Sequence, residues 1–415
     1  MNILLINHYA GSPKMGMEFR PYYMAREWQK KSNNVLIVTS SFSHTRKIQF
    51  ETEKIFTYTE IDGIKYFVIK TPKYSGNGFG RIRNMASFIK ACLNKSKYIA
   101  ETFKPDIVIS SSTYPLDNYP ARKICKLSGA KMIYEVHDLW PLSPQELGGY
   151  SKYHPFIMMM QAAENFAYKH CNAVVSLLPK AKEHMIEHGL HPDKFHYVPN
   201  GVVIDDWKTA NDIPKEFRAL FQQQKSKEHK IIGYTGSHGP ANSLNTLLEA
   251  MFELKEEPFS LFLIGDGPEK PKLIKTAVKL KLQNVFFLHQ VNKDLIPPIL
   301  DQFDILYIGL QNQPLFRFGI SPNKLLDYMM AGKPIIQAIN AGNDMVTEAN
   351  CGVSIEPENV NKLTEAIIKM TKLSDDELNK MGKNGNEYVL RNNSYNILSQ
   401  KFLKLMEKLI TEKAN

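Results

Sequence analysis

The run Phe318-Gly-Ile-Ser-Pro-Asn-Lys-Leu-Leu-Asp-Tyr-Met329 holds groups that together could bind a phosphate. Ser321 has the chemistry of an N-cap. Pro322 would then fall at the first helical position, where a missing N–H costs nothing, with Asn323 behind it. A helix that starts there aims free N–H groups and a partial positive charge at the loop before it. Lys324 adds a full charge in the first turn, and Asp327 lies on the same face. A diphosphate at the helix end with a ribose beside the carboxylate fits this pattern. An ordinary capped helix with a surface salt bridge fits it as well.

Glycine loops repeat the theme. Gly11 to Gly16, continuing through Glu18 and Arg20 to Pro21, follows an apolar run and precedes a helical one. Gly236-Ser-His238-Gly239-Pro240 and Gly265-Asp-Gly267-Pro268 sit in the same position after two later runs. Glycine lets backbone N–H groups approach a phosphate closely. None of these loops is GxGxxG, so a dinucleotide fingerprint is absent. His137 and Asp138 end another strand-like run, Tyr134-Glu-Val-His-Asp-Leu-Trp-Pro141, where an imidazole and a carboxylate could handle a proton. Asp205-Asp206 and Asp375-Asp376 make no metal motif. His184, His188 and His191 read as solvated on a polar segment. No Walker loop or Gly-x-Ser-x-Gly elbow occurs.

The elements that would position these residues alternate. Strand-like runs at 3–7, 35–39, 107–111, 131–136 and 173–177 are separated by helical stretches at 19–31, 80–103, 116–128, 155–170 and 180–188. The pattern pauses after Val198-Pro-Asn-Gly201 and resumes with strands at 231–234, 261–264, 285–288, 305–308, 335–338 and 352–355. Strands alternating with helices predict parallel βαβ units. The expected fold is therefore α/β, with two Rossmann-like doubly wound domains facing across a cleft. The first is expected over 1–200 and the second over 201–390. A helical 391–415 segment could reach back to the first domain. In such sheets ligands bind beyond the carboxyl ends of the strands.

Composition is that of a globular chain, with 43% hydrophobic and 23% charged residues. The net charge of +10 lies wholly in residues 1–200, which hold 26 Lys and Arg against 16 Asp and Glu, whereas 201–415 hold 26 of each. Such asymmetry suggests an anionic partner. No recognition helix or RNA-binding signature accompanies it, which argues against nucleic acid. Four scattered cysteines point to a reduced compartment. The first residues show no secretory signal, and no apolar run spans a membrane. Within 79–103, Ile82, Met85, Ala86, Ile89, Cys92 and Leu93 follow helical spacing, while Arg81, Arg83, Lys90, Lys95, Lys97 and Lys104 crowd the same segment. That combination suits an anionic membrane surface.

Taken in order, these segments resemble retaining glycosyltransferases of family four, which have the GT-B fold. The resemblance rests on the loop through Gly16, the Val198-Pro-Asn-Gly-Val linker, Gly265-Asp-Gly-Pro268 and Tyr328-Met-Met-Ala-Gly-Lys-Pro334. Gly16-Met-Glu-Phe-Arg-Pro21, Glu135-Val-His-Asp-Leu-Trp-Pro141 and Ser321-Pro-Asn-Lys324 resemble the bacterial L-fucosamine transferases of O-antigen and capsule assembly. The resemblance implies a hexosyltransferase-type enzyme that retains anomeric configuration and needs no metal or other cofactor. It implies a UDP-sugar donor held by Gly16, Glu18, Arg20, His238, Gly239, Gly265, Arg317 and the Ser321–Asp327 segment. It also implies a lipid-linked or soluble glycan acceptor near His137 and Asp138, and a cytoplasmic enzyme on the inner face of the membrane. Of the family's two glutamates around the phosphate-binding helix, the second position is Asp327 and the first is Gly319. The usual Arg and Lys after the second domain's first strand are missing, and Ser237, His238 and Asn242 occupy that region. A nucleotide-sugar epimerase of the same fold is the rival enzyme. A non-catalytic nucleic-acid binder is the rival outside enzymes.

Overall fold

The computed structural model describes residues 1–16, 19–76, 78–208 and 211–412. Glu18, expected at the donor, lies outside the described residues. The chain divides into two compact units, residues 1–200 together with the segment from Tyr395 onward, and residues 201–394.

The first unit is built on an eight-stranded sheet. Its strands are β1 (Asn2–Ile6), β2 (Asn34–Ser40), β3 (Phe56–Ile61), β4 (Ile64–Ile69), β5 (Ile107–Ser110), β6 (Lys131–Val136), β7 (Ala173–Ser176) and β8 (Phe195–Tyr197). The order is β3-β4-β2-β1-β5-β6-β7-β8. All neighbours are parallel except β3 with β4. β1 is almost wholly apolar because a central parallel strand is covered on both faces.

The second unit has six parallel strands, β9 (Lys230–Thr235), β10 (Phe259–Ile264), β11 (Val285–Leu288), β12 (Ile305–Gly309), β13 (Ile335–Ala338) and β14 (Gly352–Ile355), in the order β11-β10-β9-β12-β13-β14. Alternate residues feed separate cores. Ile231, Phe262, Leu306 and Ile335 pack in one, while Ile232, Leu261, Tyr307 and Ile336 pack in the other. Strand order reverses between β1 and β5 in the first unit and between β9 and β12 in the second. Loops leaving those strands therefore open the crevice where a ligand can enter.

Several expectations need correction. The strands β3 and β4 form a hairpin that is not among the expected elements. Its turn is Asp62-Gly63, both with positive φ (49° and 80°), the backbone of a two-residue hairpin. The end of the chain forms two helices, Asp375–Asn392 and Tyr395–Thr411. The second belongs to the first unit, so the division falls after Ser394 rather than at 390. Phe402 meets Trp28 edge-on at 5.3 Å, and Lys401 Nζ donates to the Tyr197 carbonyl. On the Phe79–Phe103 helix, Met85, Ile89 and Cys92 are buried, but Ile82 and Ala86 are exposed. Those two lie at the edge of an apolar stripe wider than the face the helix buries.

Candidate functional site

In the second unit the loops after β9 and β10 are interlocked through their backbones. The His238 N–H donates to the Asp266 carbonyl at 2.8 Å, and the His238 carbonyl accepts from Glu269 at 2.9 Å. Gly265 is required here, because a Cβ would overlap the Gly236 carbonyl. The loop after β12 joins the same assembly, since the Gln311 N–H donates to the Ala241 carbonyl at 2.9 Å. It then leads into the helix Asn323–Met330. That helix begins one residue later than expected. Pro322, with extended ψ of 126°, is the N-cap, and Ser321 is not. Asn343 fixes the entry, with its Oδ1 accepting from Ile320 N–H at 2.8 Å and its Nδ2 donating to the Ile320 carbonyl at 3.1 Å.

Lys324 extends from this first turn to the β9 loop. Its Nζ donates to Tyr234 Oη at 2.6 Å and Asn242 Oδ1 at 3.1 Å, and lies 3.9 Å from the centroid of the Tyr234 ring. No carboxylate pairs with it among the described residues, so it makes no salt bridge with Asp327. Burial pulls its ammonium down to about 7. Burial also raises Asp327 to about 6; Lys293 opposes that rise and Asp206 adds to it. A lysine and a carboxylate on one helix that do not neutralise each other are available to a ligand. The arrangement differs from the surface salt bridge that the spacing alone also allowed.

In the first unit Glu135, at the end of β6, is 1% exposed. Its Oε1 accepts from Arg20 Nε and lies 3.0 Å from Arg20 Nη2, and its Oε2 accepts from Ser111 Oγ at 2.7 Å. Burial pushes this carboxyl up, but the Arg20 guanidinium and the His137 and Ser111 bonds outweigh it and hold the group at about 2. His137 Nε2 lies 3.0 Å from Ser111 Oγ and 3.4 Å from Glu135 Oε2. With the Ser111 proton spent on Glu135, both neighbours of Nε2 are acceptors. Nε2 therefore carries a ring proton. Asp138 next to it is exposed.

Other expected residues make contacts within the protein. Arg20 is 3% exposed and also donates to the carbonyls of Val198 and Pro199, so it anchors Glu135 and the end of the unit. The His238 side chain is fully buried, and neither ring nitrogen has a hydrogen-bond partner. Burial and the charges of Lys270 and Lys324 take it down to about 4, against a small pull from Asp266, so it is a neutral packing group. Gly16 pairs with Arg46 in an isolated antiparallel bridge. Arg317 is exposed, with its guanidinium 4.3 Å from the Phe318 ring centroid. Gly239 starts the turn that carries Asn242, whose N–H donates to the Gly239 carbonyl at 3.1 Å. Gly319 adopts φ of 98°, a backbone that resists the glutamate the family pattern would place there.

Sequence reasoning missed Tyr234 and Ser111, because a strand tyrosine and one serine of the Ser110–Ser112 run carry no motif. It also missed Arg46, which is 4% exposed and spent on the Ala10 and Ser40 carbonyls.

Residues 15–206 match the family described as Glycosyltransferase Family 4, and residues 229–372 match the one described as Glycosyl transferases group 1. WcaI of Escherichia coli (strain K12), named as a colanic acid biosynthesis glycosyl transferase, is 25% identical over 272 residues. That match covers 64% of this chain and 66% of WcaI, just under two thirds of its length. WbjE of Pseudomonas aeruginosa, named as a glycosyltransferase, is 21% identical over 348 residues, covering 80% of this chain and 81% of WbjE. The crystal structure of Anabaena Alr3699/HepE in complex with UDP and glucose shares the fold, with a TM-score of 0.67 at 15% identity over 98% of this chain and 99% of its own. Each half of the chain thus carries its own match, residues 15–206 to the family 4 glycosyltransferase domain and residues 229–372 to the group 1 domain, and the two-sheet fold is shared with Alr3699/HepE.

Proposed function

We propose that the chain transfers a sugar from a UDP-sugar to a glycan acceptor, lipid-linked or soluble, in the synthesis of a bacterial surface polysaccharide such as O-antigen or capsule. The proposed sugar is N-acetyl-L-fucosamine or a related N-acetyl amino sugar, transferred with retention and without a metal. The observation that carries this reading is Lys324, a buried ammonium at the start of a helix, beside the strand-order reversal and with no carboxylate partner. The UDP bound in Alr3699/HepE and the names of WcaI and WbjE support the donor and the pathway class. The Glu135–Pro141 and Ser321–Lys324 segments support the sugar.

In the reaction the bond between the anomeric carbon and the diphosphate oxygen breaks, and the acceptor oxygen bonds to that carbon. The departing UDP keeps the electron pair. The acceptor proton passes to the leaving phosphate or to a base. Lys324 and the N–H groups of Asn323 and its neighbours would meet the growing negative charge, and Asp327 would accept from the ribose hydroxyls. His137 and Asp138 would serve the acceptor. The enzyme would work in the cytoplasm, held at the membrane by the basic first unit. No helix among the described residues is long and apolar enough to cross a membrane.

The test is UDP release across a panel of UDP-sugars, with and without glycan acceptors. Acceptor-dependent release is expected. Lys324→Ala should lower turnover by about a hundredfold, the effect of losing one charge-stabilising contact of ~3 kcal/mol, at an unchanged melting temperature. Release that ignores the acceptor would favour the epimerase, which the two matched families do not support. Turnover of Lys324→Ala within a fewfold of wild type would exclude the role given to Lys324.

A further inference from the structure

The helices Pro155–His170 and Lys182–Glu187 bring Glu164, His184 and His188 together in the first unit, with one donor atom from each residue lying within 4.8 Å of the others. Two of these histidines were expected to be solvated. Instead both are half-buried, and their rings meet edge to face at 4.5 Å, whereas His191 is exposed. His184 lies within the short helix and His188 caps its C-terminus four positions on.

Glu164 is 1% exposed and forms no ion pair among the described residues. Its Oε1 accepts from Tyr168 Oη at 2.9 Å and its Oε2 from Gln161 Nε2 at 2.8 Å. That same amide nitrogen also lies 2.8 Å from Asn165 Oδ1 and 3.2 Å from His188 Nδ1. It has two hydrogens for three acceptors. The cluster is therefore rich in lone pairs and short of positive charge. Burial raises the Glu164 carboxyl to about 7, opposed by the bonds from Tyr168 and Gln161, and no basic side chain stabilises its charged form.

We propose that Glu164, His184 and His188 bind one divalent transition-metal ion of the Zn²⁺ class, clamping the two helices together. Two imidazoles and a carboxylate are a borderline donor set that suits Zn²⁺ and disfavours Mg²⁺ or Ca²⁺, which want oxygen. Tetrahedral bonds of about 2.1 Å place donors roughly 3.4 Å apart, so donors up to 4.8 Å apart need close in by at most about 1.4 Å. Because both histidines are partly exposed, water can take the fourth position. None of these residues belongs to the donor loops or to the Glu135 network, so the ion would hold structure and take no part in transfer.

The test is titration of Zn²⁺ alone into the metal-stripped full chain, followed by calorimetry and by melting temperature. One equivalent is expected to bind and to raise the melting temperature. Glu164→Gln should weaken binding at least tenfold, as should His188→Gln, whose partly exposed side chain leaves the core intact. Circular dichroism of both apo variants should match the wild type. His191→Ala should bind like the wild type. Failure of the wild type to bind Zn²⁺, undiminished binding by folded Glu164→Gln or His188→Gln, or loss of binding in His191→Ala would each overturn the site.

Discussion

Arg20 and Glu135 lie 3% and 1% exposed and pair at 3.0 Å, and Glu135 is the one carboxylate that pairs with Arg20 among the described residues. Removing one charge of such a pair leaves the other buried and uncompensated, which costs about 3–5 kcal/mol. Arg20→Met should therefore destabilise the first unit by that order, read as a lower denaturation midpoint. The sign with pH follows from the depressed carboxyl of Glu135, near 2 in the folded chain against 4.5 for a free glutamate side chain. Its contribution is complete above about pH 4.5 and is lost as the pH falls toward 2. His137 sits on the edge of this network, with its Nε2 3.0 Å from Ser111 Oγ. Replacing His137 or Asp138 with Ala is expected to reduce transfer and leave UDP affinity near normal. Loss of UDP binding with transfer retained at saturating donor would contradict the acceptor role. The sequence showed that Arg20 and Glu135 were chemically capable, but not that they meet. They are far apart in the chain, and only the β1–β5–β6 packing joins them.

Element by element, the long apolar strands were legible because a parallel sheet buried on both faces needs near-continuous Val, Ile and Leu. The β3–β4 hairpin was not read, although Asp62-Gly63 marks it. β3 is an edge strand with half-exposed residues and no apolar run. The helix start at Asn323 was misplaced by one residue because proline suits the N-cap as well as the first turn, and Asn343 in a distant loop settled the register. The Phe79–Phe103 helix shows a similar limit. Its sequence gave the bases but not their directions. Lys95 lies over the Phe56 ring at 4.3 Å and Arg81 donates to Tyr9 Oη at 3.3 Å, whereas Arg83, Lys90 and Lys97 are exposed, as is Phe79 at the start of the helix. Those three outward bases, each worth roughly 1 kcal/mol near an anionic surface, should hold the chain on acidic liposomes at low salt. Changing them to Glu should release it. A wild type that does not sediment with such liposomes at low salt would remove the membrane proposal.

At the scale of the whole molecule, each unit repeats one plan, a doubly wound sheet whose strand order reverses beside glycine-bearing loops. The charge is divided unequally. The first 200 residues carry the whole +10, and the rest of the chain is neutral. A donor site in the second unit therefore cannot rely on a general positive field and must draw on particular groups, Lys324 above all. Its ammonium, near 7 without a ligand, must be charged to hold a diphosphate, and binding would raise its pKa. The most direct measurement is calorimetric titration of UDP between pH 7 and 9, above the phosphate's second ionisation near 6. Wild-type affinity is expected to fall by up to about tenfold per pH unit as Lys324 loses its proton before binding. Lys324→Ala should bind weakly and without that slope. Equal UDP affinity in wild type and Lys324→Ala, flat across this range, would contradict the donor site described for this chain.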